Sequence, residues 1–567
     1  MKNPFRDWGM QKVVVVDDPA KYPPEIRKTL DGRSRRWFLR NWRVQELAPD
    51  TEPIYVKSWL YVFGVLTLMS LVMLVVTGII LAFFGPEWWL NTAIGAYADA
   101  MHYWSVQLFF LFMFVHFIAV FLTGAFRGKR WLTWMLGVLA FMTSVVTAFT
   151  GYASLQDFEA QWITTQGKDA INATGAGSLF NLLDPGQIIT MHVVIFPLIV
   201  GVVVGVHLLW VRKHGIAAPY DAREEHLAPA AKEGSAMSWK HDNAQARRRW
   251  VGPLERYDLI TEGIIAMIVI AVLVVGLAIL LGAPLVRAVS FQSWAQADAD
   301  DFVKTTLAEL TGTSESATYG PPYNNGTNGV QSLGPWSPQA WGGVRMPVHP
   351  PQDFVIAPLT AYAPLNLELQ DALQRWNRAG ASQRRLWGGN AISSAVDLQG
   401  AKVALTGQGD TGPIPALLSA MLAMAQSGAL DSQSINAPGN TYSTNYSKSL
   451  LYQADGNYLG DIASYYHLQG DQWGMMNQIG SWPGQPWLWS YTMWYNVPPW
   501  SRSSAGTDLL ATAMFGLVML VVFFLPFIPG LRSIPRGLRL YRLVWRPYYE
   551  KYGAEPKVGK AKRAEAS

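Results

Sequence analysis

Residues 100–125 read AMHYWSVQLFFLFMFVHFIAVFLTGA, and this stretch decides the fold. It holds no Asp, Glu, Lys or Arg and is long enough to cross a bilayer as one helix. His102 and His116 stand fourteen residues apart within it. At 1.5 Å per residue that is ~21 Å along the axis, with both side chains within ~40° of one face. A second apolar run, 190–211, carries His192 and His207, fifteen residues apart. Two spanning helices thus each present an imidazole near either end. A single histidine in a membrane helix is as readily a hydrogen-bonded packing residue as a ligand. Four in two matched pairs fit two stacked haems, each iron held axially by one histidine per helix. Ionisable side chains in hydrocarbon are costly and mark functional sites.

Composition sets the frame around this stretch. The chain has 567 residues, 50% hydrophobic and 15% charged, with 25 tryptophans, as expected of a polytopic membrane protein with room for a further domain. It has no cysteine. That excludes disulfides, thiolate metal sites, an iron–sulfur cluster bound by this chain and a covalent Cys-x-x-Cys-His haem attachment, so the haems would be held non-covalently. The net charge of +5 calls for no nucleic acid, because the basic residues cluster beside the spans.

Outward from the first stretch, basic and non-basic segments alternate. Residues 1–57 are polar and basic, with Arg33, Arg35, Arg36, Arg40 and Arg43 close together. They read as a solvated flank, with an amphipathic surface helix at 25–45 as the alternative. No signal peptide is visible, since the first apolar run begins near Ser58. The loop 85–98 has Glu87 and no Lys or Arg, whereas Arg127, Lys129 and Arg130 follow the His102–His116 span. The loop 153–188 carries Asp157, Glu159, Asp169 and Asp184 against one lysine, whereas Arg212 and Lys213 close the His192–His207 span. The positive-inside rule then gives six spans in the cell membrane with both termini cytoplasmic. His102 and His192 lie near the outer face, and His116 and His207 near the inner face.

The resulting organisation is a cytoplasmic segment 1–57, a four-helix domain 58–220, a cytoplasmic linker 221–258, a fifth span 259–285, an extracytoplasmic domain 286–506, a sixth span 507–529 and a basic cytoplasmic tail 530–567. Glycines support a haem pocket. Gly64 and Gly78 on the first span, and Gly137 and Gly151 on the third, repeat the fourteen-residue step of the histidines. Glycine lets a flat macrocycle come close to a helix backbone. Small-residue helix packing is the alternative use of such a pattern.

At these residues the chain resembles a family. Region 58–220 is similar to the N-terminal, four-helix half of cytochrome b from quinol–cytochrome c reductases, and most to the plastid-type form. The resemblance lies in TGIILA at 77–82, the paired histidines, FLTGAFRGKRWLTWMLGV at 121–138, TGY at 150–152, HVVIFP at 192–197 and HLLWVRKHGIAAPY at 207–220. It implies two b haems, a lipid quinol oxidised near the outer face, a quinone reduced near the inner face, and a Rieske iron–sulfur partner with a cytochrome c or other redox subunit. A homodimer is compatible with it.

The departures define what is open. The family's arginines flanking the first histidine pair are replaced by Asp99 and Ala119, which leaves Arg127, Lys129 or Arg212 for haem propionates on the inner side. The Leu-Pro-Trp-Asp run expected after Gly151-Tyr152 reads Ala153-Ser154-Leu155-Gln156-Asp157. The cysteine anchor of the plastid type's third haem is absent. The Pro-Glu-Trp-Tyr motif expected after the fifth span, whose glutamate is the supposed proton acceptor, is missing. Pro86-Glu87-Trp88-Trp89 looks like it but stands in the wrong loop, and its tryptophans read as interfacial anchors. A quinol-oxidising site needs a base within reach of the quinol hydroxyl. Asp157 and Glu159 follow the third span, where the family's outer pocket has one wall, and are the candidates.

No family resemblance is read from residues 286–506. Helices are expected at Phe302–Leu310 and Pro415–Ala425 and a strand at 403–407, hence mixed α and β. GQGDTG at 407–412 lacks the lysine and helix of a phosphate loop and reads as a turn. His349 and His467 lack partners at ligand spacing. The aromatic run 482–500 reads as an interfacial anchor.

The fold expected is an all-α polytopic membrane protein: a four-helix dihaem bundle plus two further transmembrane helices, with an inserted extracytoplasmic mixed α/β domain. The function expected is a dihaem cytochrome b subunit of a quinol-oxidising, quinol–cytochrome c reductase-like complex. The alternatives are a quinol dehydrogenase subunit feeding a dedicated oxidoreductase without a Rieske partner, and a membrane scaffold for the outer domain. The topology is testable. A cysteine at Ser432 should react with an impermeant thiol reagent on intact, wall-permeabilised cells, and one at Ser235 should not; the reverse labelling overturns the orientation.

Overall fold

The computed structural model describes residues 51–229, 238–283, 285–432, 444–468, 485–498 and 506–553. The helix considered at 25–45 lies outside them. Three long apolar helices come first: α1 (Val62–Phe84), α2 (Ala93–Leu122) and α3 (Trp131–Ala153). Each turn between them has a local cause. α1 stops at Gly85, whose φ of 76° suits glycine, and Pro86 starts the short connecting turn. The Thr92 hydroxyl caps α2 by accepting from the Gly95 amide at 3.0 Å. Asp157 likewise caps the amphipathic α4 (Phe158–Ala173). α5 (Pro185–His214) and α6 (Leu259–Leu281) complete the five helices long and apolar enough to cross a membrane.

Helix α1 packs on α2, α3 on α5, and α6 on α1 and α2. Only 6–39% of each span's most apolar window is buried within the chain, so most of this surface is left for lipid. A two-stranded antiparallel ribbon, β1 (Thr51–Pro53) with β2 (Leu254–Arg256), ties the start of α1 to the start of α6.

The sixth expected span is shorter than its sequence limits. After α7 (Ala299–Thr311) and α8 (Ile414–Gln426), the regular helix α9 runs over Thr507–Phe523, 17 residues. At 1.5 Å per residue this is ~26 Å, short of the ~30 Å hydrocarbon core. Pro526 supplies no amide donor, and the chain continues as a tighter turn at Leu525–Phe527. α9 packs on α3 and α4.

Between α6 and α9 the described residues are mainly helical. The expected helices lie within α7 and α8, and the expected strand is one arm of a single hairpin, β3 (Ala395–Gln399) with β4 (Lys402–Thr406). The β share of the expected mixture is therefore small among the described residues. At 407–412 the Asp410 carboxylate accepts from the Gly412 amide at 2.9 Å and from the Trp387 indole at 2.8 Å, which makes a turn. His349 and His467 are exposed.

Phe158, Trp162 and Leu183 lie between the third and fourth spans, yet share one core with Phe291, Trp294, Leu417 and Tyr452. The inserted region is thus built onto α4. At the opposite end, Tyr541, Val544, Trp545 and Tyr548 of the basic tail pack with Tyr55 and Tyr220. That tail segment is a cap on the bundle.

Within the shared core Glu309 is fully buried and accepts from the Ser314 hydroxyl at 2.6 Å. Burial and the neighbouring Asp455 carboxyl push it far above the ordinary carboxylate range, so the fold holds it protonated. The unfolded chain releases that proton near the ordinary value of 4.5, so stability is fully present below that pH and falls as pH rises above it. Glu309→Gln keeps a donor toward Asp455 without a proton to hold. Its melting temperature should match the unmodified chain near pH 4.5 and exceed it increasingly toward pH 8, by about 2–4 °C for each kcal/mol gained. Parallel melting curves across that range refute the protonated state.

Candidate haem-binding centre

The site is assembled by helix phase. On α2, the fourteen-residue step leaves His102 and His116 ~40° apart around the axis. On α5, a fifteen-residue step in a regular helix would put His192 and His207 ~60° apart in the opposite sense. The structure resolves the mismatch with a π-turn at Met191–Ile195, closed by the Phe196 amide on the Met191 carbonyl. One extra residue in that turn returns His207 to the phase of a fourteen-residue step. Pro197, which has no amide to give, follows directly.

The four histidines then meet four glycines. A Cβ built on Gly78 would lie 3.1 Å from His102 Cε1, and one on Gly151 would lie 2.4 Å from His192 Cε1. At the other level, a Cβ on Gly64 would lie 3.2 Å from His116 Cε1, and one on Gly137 would lie 3.3 Å from His207 Cε1. Each glycine therefore takes an imidazole edge against its backbone. This differs from the expected role, in which the helix backbone itself met the macrocycle: what the missing Cβ admits here is the ring of the neighbouring helix.

The rings of His102 and His192 face each other at 6.3 Å between centroids, with planes at 88°. A shared metal needs twice the sum of a nitrogen–metal bond of about 2 Å and the about 1.1 Å from nitrogen to ring centre, which comes to about 6.2 Å, close to this separation. His116 and His207 lie within electrostatic reach of one another at the second level. Hydrogen bonds set the tautomers. His192 Nδ1 donates to the Thr147 carbonyl at 2.9 Å, and His207 Nδ1 to the Thr133 carbonyl at 3.0 Å. The Thr77 hydroxyl donates to the Met73 carbonyl and so accepts from His102 Nδ1, at 2.9 Å. In these three histidines the Nε2 lone pair is left for a metal. The residues present therefore fit axially ligated haem.

The threonines were not singled out in the sequence. Thr133 and Thr147 carry a signal that could have found them: they too stand fourteen apart, each four residues before a pocket glycine.

Of the proposed propionate partners, Arg127 is fully buried, donates to the Gly124 and Ala218 carbonyls, and stacks at 3.5 Å on Tyr220. Its Nη1 is buried without a hydrogen-bond partner. Lys129 is exposed and Arg212 half-buried. At the His102 end, Asp99, Asp157 and Glu159 are all buried. Asp157 accepts from the Ala160 amide at 2.9 Å, and burial pushes its carboxyl up to about 6. Glu159 accepts from the Tyr152 hydroxyl at 2.9 Å. A cavity of about 380 Å³ opens beside this turn, lined by Phe158, Val286, Arg287, Asp461, Ile462 and Tyr466.

The family model described as Cytochrome b(N-terminal)/b6/petB matches residues 107–288. Cytochrome b6 of Pyropia yezoensis is 30% identical over 209 residues, covering 97% of that protein and 32% of this chain. Cytochrome b6 of Auxenochlorella protothecoides is 31% identical with the same coverage. Cytochrome b6 of Heliomicrobium gestii is 27% identical, covering 92% of that protein and 31% of this chain. A solved chain titled "Hyperthermophilic respiratory Complex III" aligns over 70% of this chain and 95% of its own at 14% identity, with a TM-score of 0.31.

The pairing by depth has a spectroscopic test. His102→Ala, His192→Ala and Gly151→Val should each remove one and the same haem signal and largely spare the other. His116→Ala and His207→Ala should do the converse. Equal loss of both signals from folded protein in every variant contradicts the pairing.

Proposed function

The chain belongs to the cytochrome b family, and from that premise we propose that it is the dihaem b subunit of a membrane complex that oxidises lipid quinol and passes the electrons to an acceptor outside the membrane. The observation that carries this reading is the His102–His192 pair, whose 6.3 Å perpendicular rings match bis-imidazole ligation. His102 and His192 would hold one haem, and His116 and His207 the other. When bound, the haems supply one-electron transfer between the two faces of the membrane.

The protein's own residues do the rest. Thr77, Thr133 and Thr147 hold the imidazoles in the ligating tautomer. Gly64, Gly78, Gly137 and Gly151 let the rings sit against the flanking helices. Asp157 or Glu159, at the start of α4, takes the quinol proton. Of the two carboxylates, Asp157 caps α4, whereas Glu159 accepts from the Tyr152 hydroxyl. The inner carbonyl-bound Arg127, with its unpartnered Nη1, is the group suited to a propionate. By charge, residues 286–506 belong outside and both termini inside.

The proposed partners are a Rieske iron–sulfur protein and a cytochrome c or similar acceptor. The missing glutamate after α6 favours keeping a second reading, in which the subunit feeds a dedicated oxidoreductase without a Rieske partner. Purification of the intact complex and identification of its subunits separates the two.

The proton step has a kinetic test. The double change Asp157→Asn with Glu159→Gln should slow quinol-driven haem reduction roughly 10²-fold, the scale of losing a positioned base. The haem spectra should be unchanged. Full quinol kinetics in that variant rule out both carboxylates.

A further inference from the structure

The aromatic run before α9 does more than anchor the chain at the membrane surface. Gln485 is 1% exposed and Trp487 5%. Both reach into the bundle. Gln107, on α2, lies in a spanning helix where a polar amide needs a partner. Its Nε2 donates to Gln485 Oε1 at 2.7 Å, across 378 residues of sequence. The Trp487 indole donates to the same oxygen at 3.2 Å. The Trp487 ring stacks on Phe110, one helical turn on from Gln107, with centroids 5.9 Å apart and planes at 23°. It also meets Tyr152 edge-on at 6.4 Å. Tyr152 in turn donates to Glu159 Oε2. A continuous set of contacts thus runs from half-buried Gln107 through Gln485, Trp487 and Tyr152 to Glu159.

We propose that Gln485 and Trp487 are positioning residues for the Glu159 carboxyl, so that the quinol-oxidising end of the bundle is completed by a segment from the far side of the inserted region. This rests on the reading that Glu159 serves quinol oxidation. Gln485 sets the Trp487 indole by accepting its N–H. Trp487 closes one side of the Tyr152 ring and fixes its hydroxyl, and that hydroxyl orients Glu159. Filling the space alone would require neither amide, since two leucines of similar volume avoid the desolvation of both glutamines.

That contrast supplies the experiment, made on the full chain in its native membrane with quinol-driven haem reduction as readout. Gln485→Leu should lower the maximal rate about 10-fold, leave the quinol KM within about twofold, and shift the pH profile, at unchanged haem content per protein. Gln485→Glu, which keeps an acceptor oxygen, should recover most of the rate. The double change Gln107→Leu with Gln485→Leu replaces both amides by packing groups, and should stay as slow as Gln485→Leu alone. A return to full rate in the double variant means the pair only fills space, and overturns the proposal. Trp487→Leu gives an independent reading that leaves the glutamine pair in place: a slowed rate at full haem content supports positioning, and a full rate overturns it. A lower KM in any of these variants shows that the segment obstructs the site, and also overturns it. Glu159→Gln separates the two levels of inference. If it is slow while every Gln485 and Trp487 variant is fast, only the positioning role fails; if it is itself fast, the reading of Glu159 fails first.

Discussion

Two imidazoles on different helices must face each other at 6.3 Å with their planes crossed, and the bundle is arranged around that separation. It holds the α2 and α5 backbones apart, since each contributes a whole ring to the gap. It draws α1 and α3 close on the far side of each ring, where only a residue without a Cβ leaves room. The same demand recurs one level down, about 21 Å along the axis. Hence the repeat of fourteen appears in histidines, glycines and threonines on three separate helices. On the fourth helix, where the step is fifteen, the π-turn at Met191–Ile195 removes the surplus residue.

The inserted region supplies partners to polar groups of the bundle. Gln107 in the apolar bundle is half-buried, and the Glu159–Tyr152 pair at its end is buried. Lipid cannot hydrogen-bond them. Their surroundings come from α4 and from residues 485–488, which are distant in sequence and adjacent in space. The core of residues 289–468 likewise closes over Phe158, Trp162 and Leu183. The loop between the third and fourth spans is thus the foundation on which the rest of that region stands.

Much of the site was legible in the sequence because helical geometry is local. Spacing brought His102 and His116 to one face and picked out Gly64, Gly78, Gly137 and Gly151, and the alternation of charged flanks set the depths at which the histidines pair with His192 and His207. The resemblance to cytochrome b came from the same short motifs. Less was legible where a partner lies far along the chain. The aromatic run at 482–500 read as a surface anchor because nothing local shows that Gln485 meets Gln107. The carboxylates Asp157 and Glu159 looked equivalent, two residues apart, until capping took one and Tyr152 the other. The regular helix of the last span is shorter than its apolar run, because hydropathy does not register the helix end before Pro526.

The sequence by itself determined the apolar spans, the histidine and glycine periodicity and the family, because each depends on the 3.6-residue turn and on side-chain chemistry within a few turns. Only the tertiary structure decided how far apart the imidazoles stand, which ring nitrogen is free, which carboxylate carries a tyrosine, and that the inserted region reaches back into the bundle. Those are outcomes of packing between elements up to hundreds of residues apart, where the satisfaction of buried polar groups, rather than local periodicity, selects the arrangement.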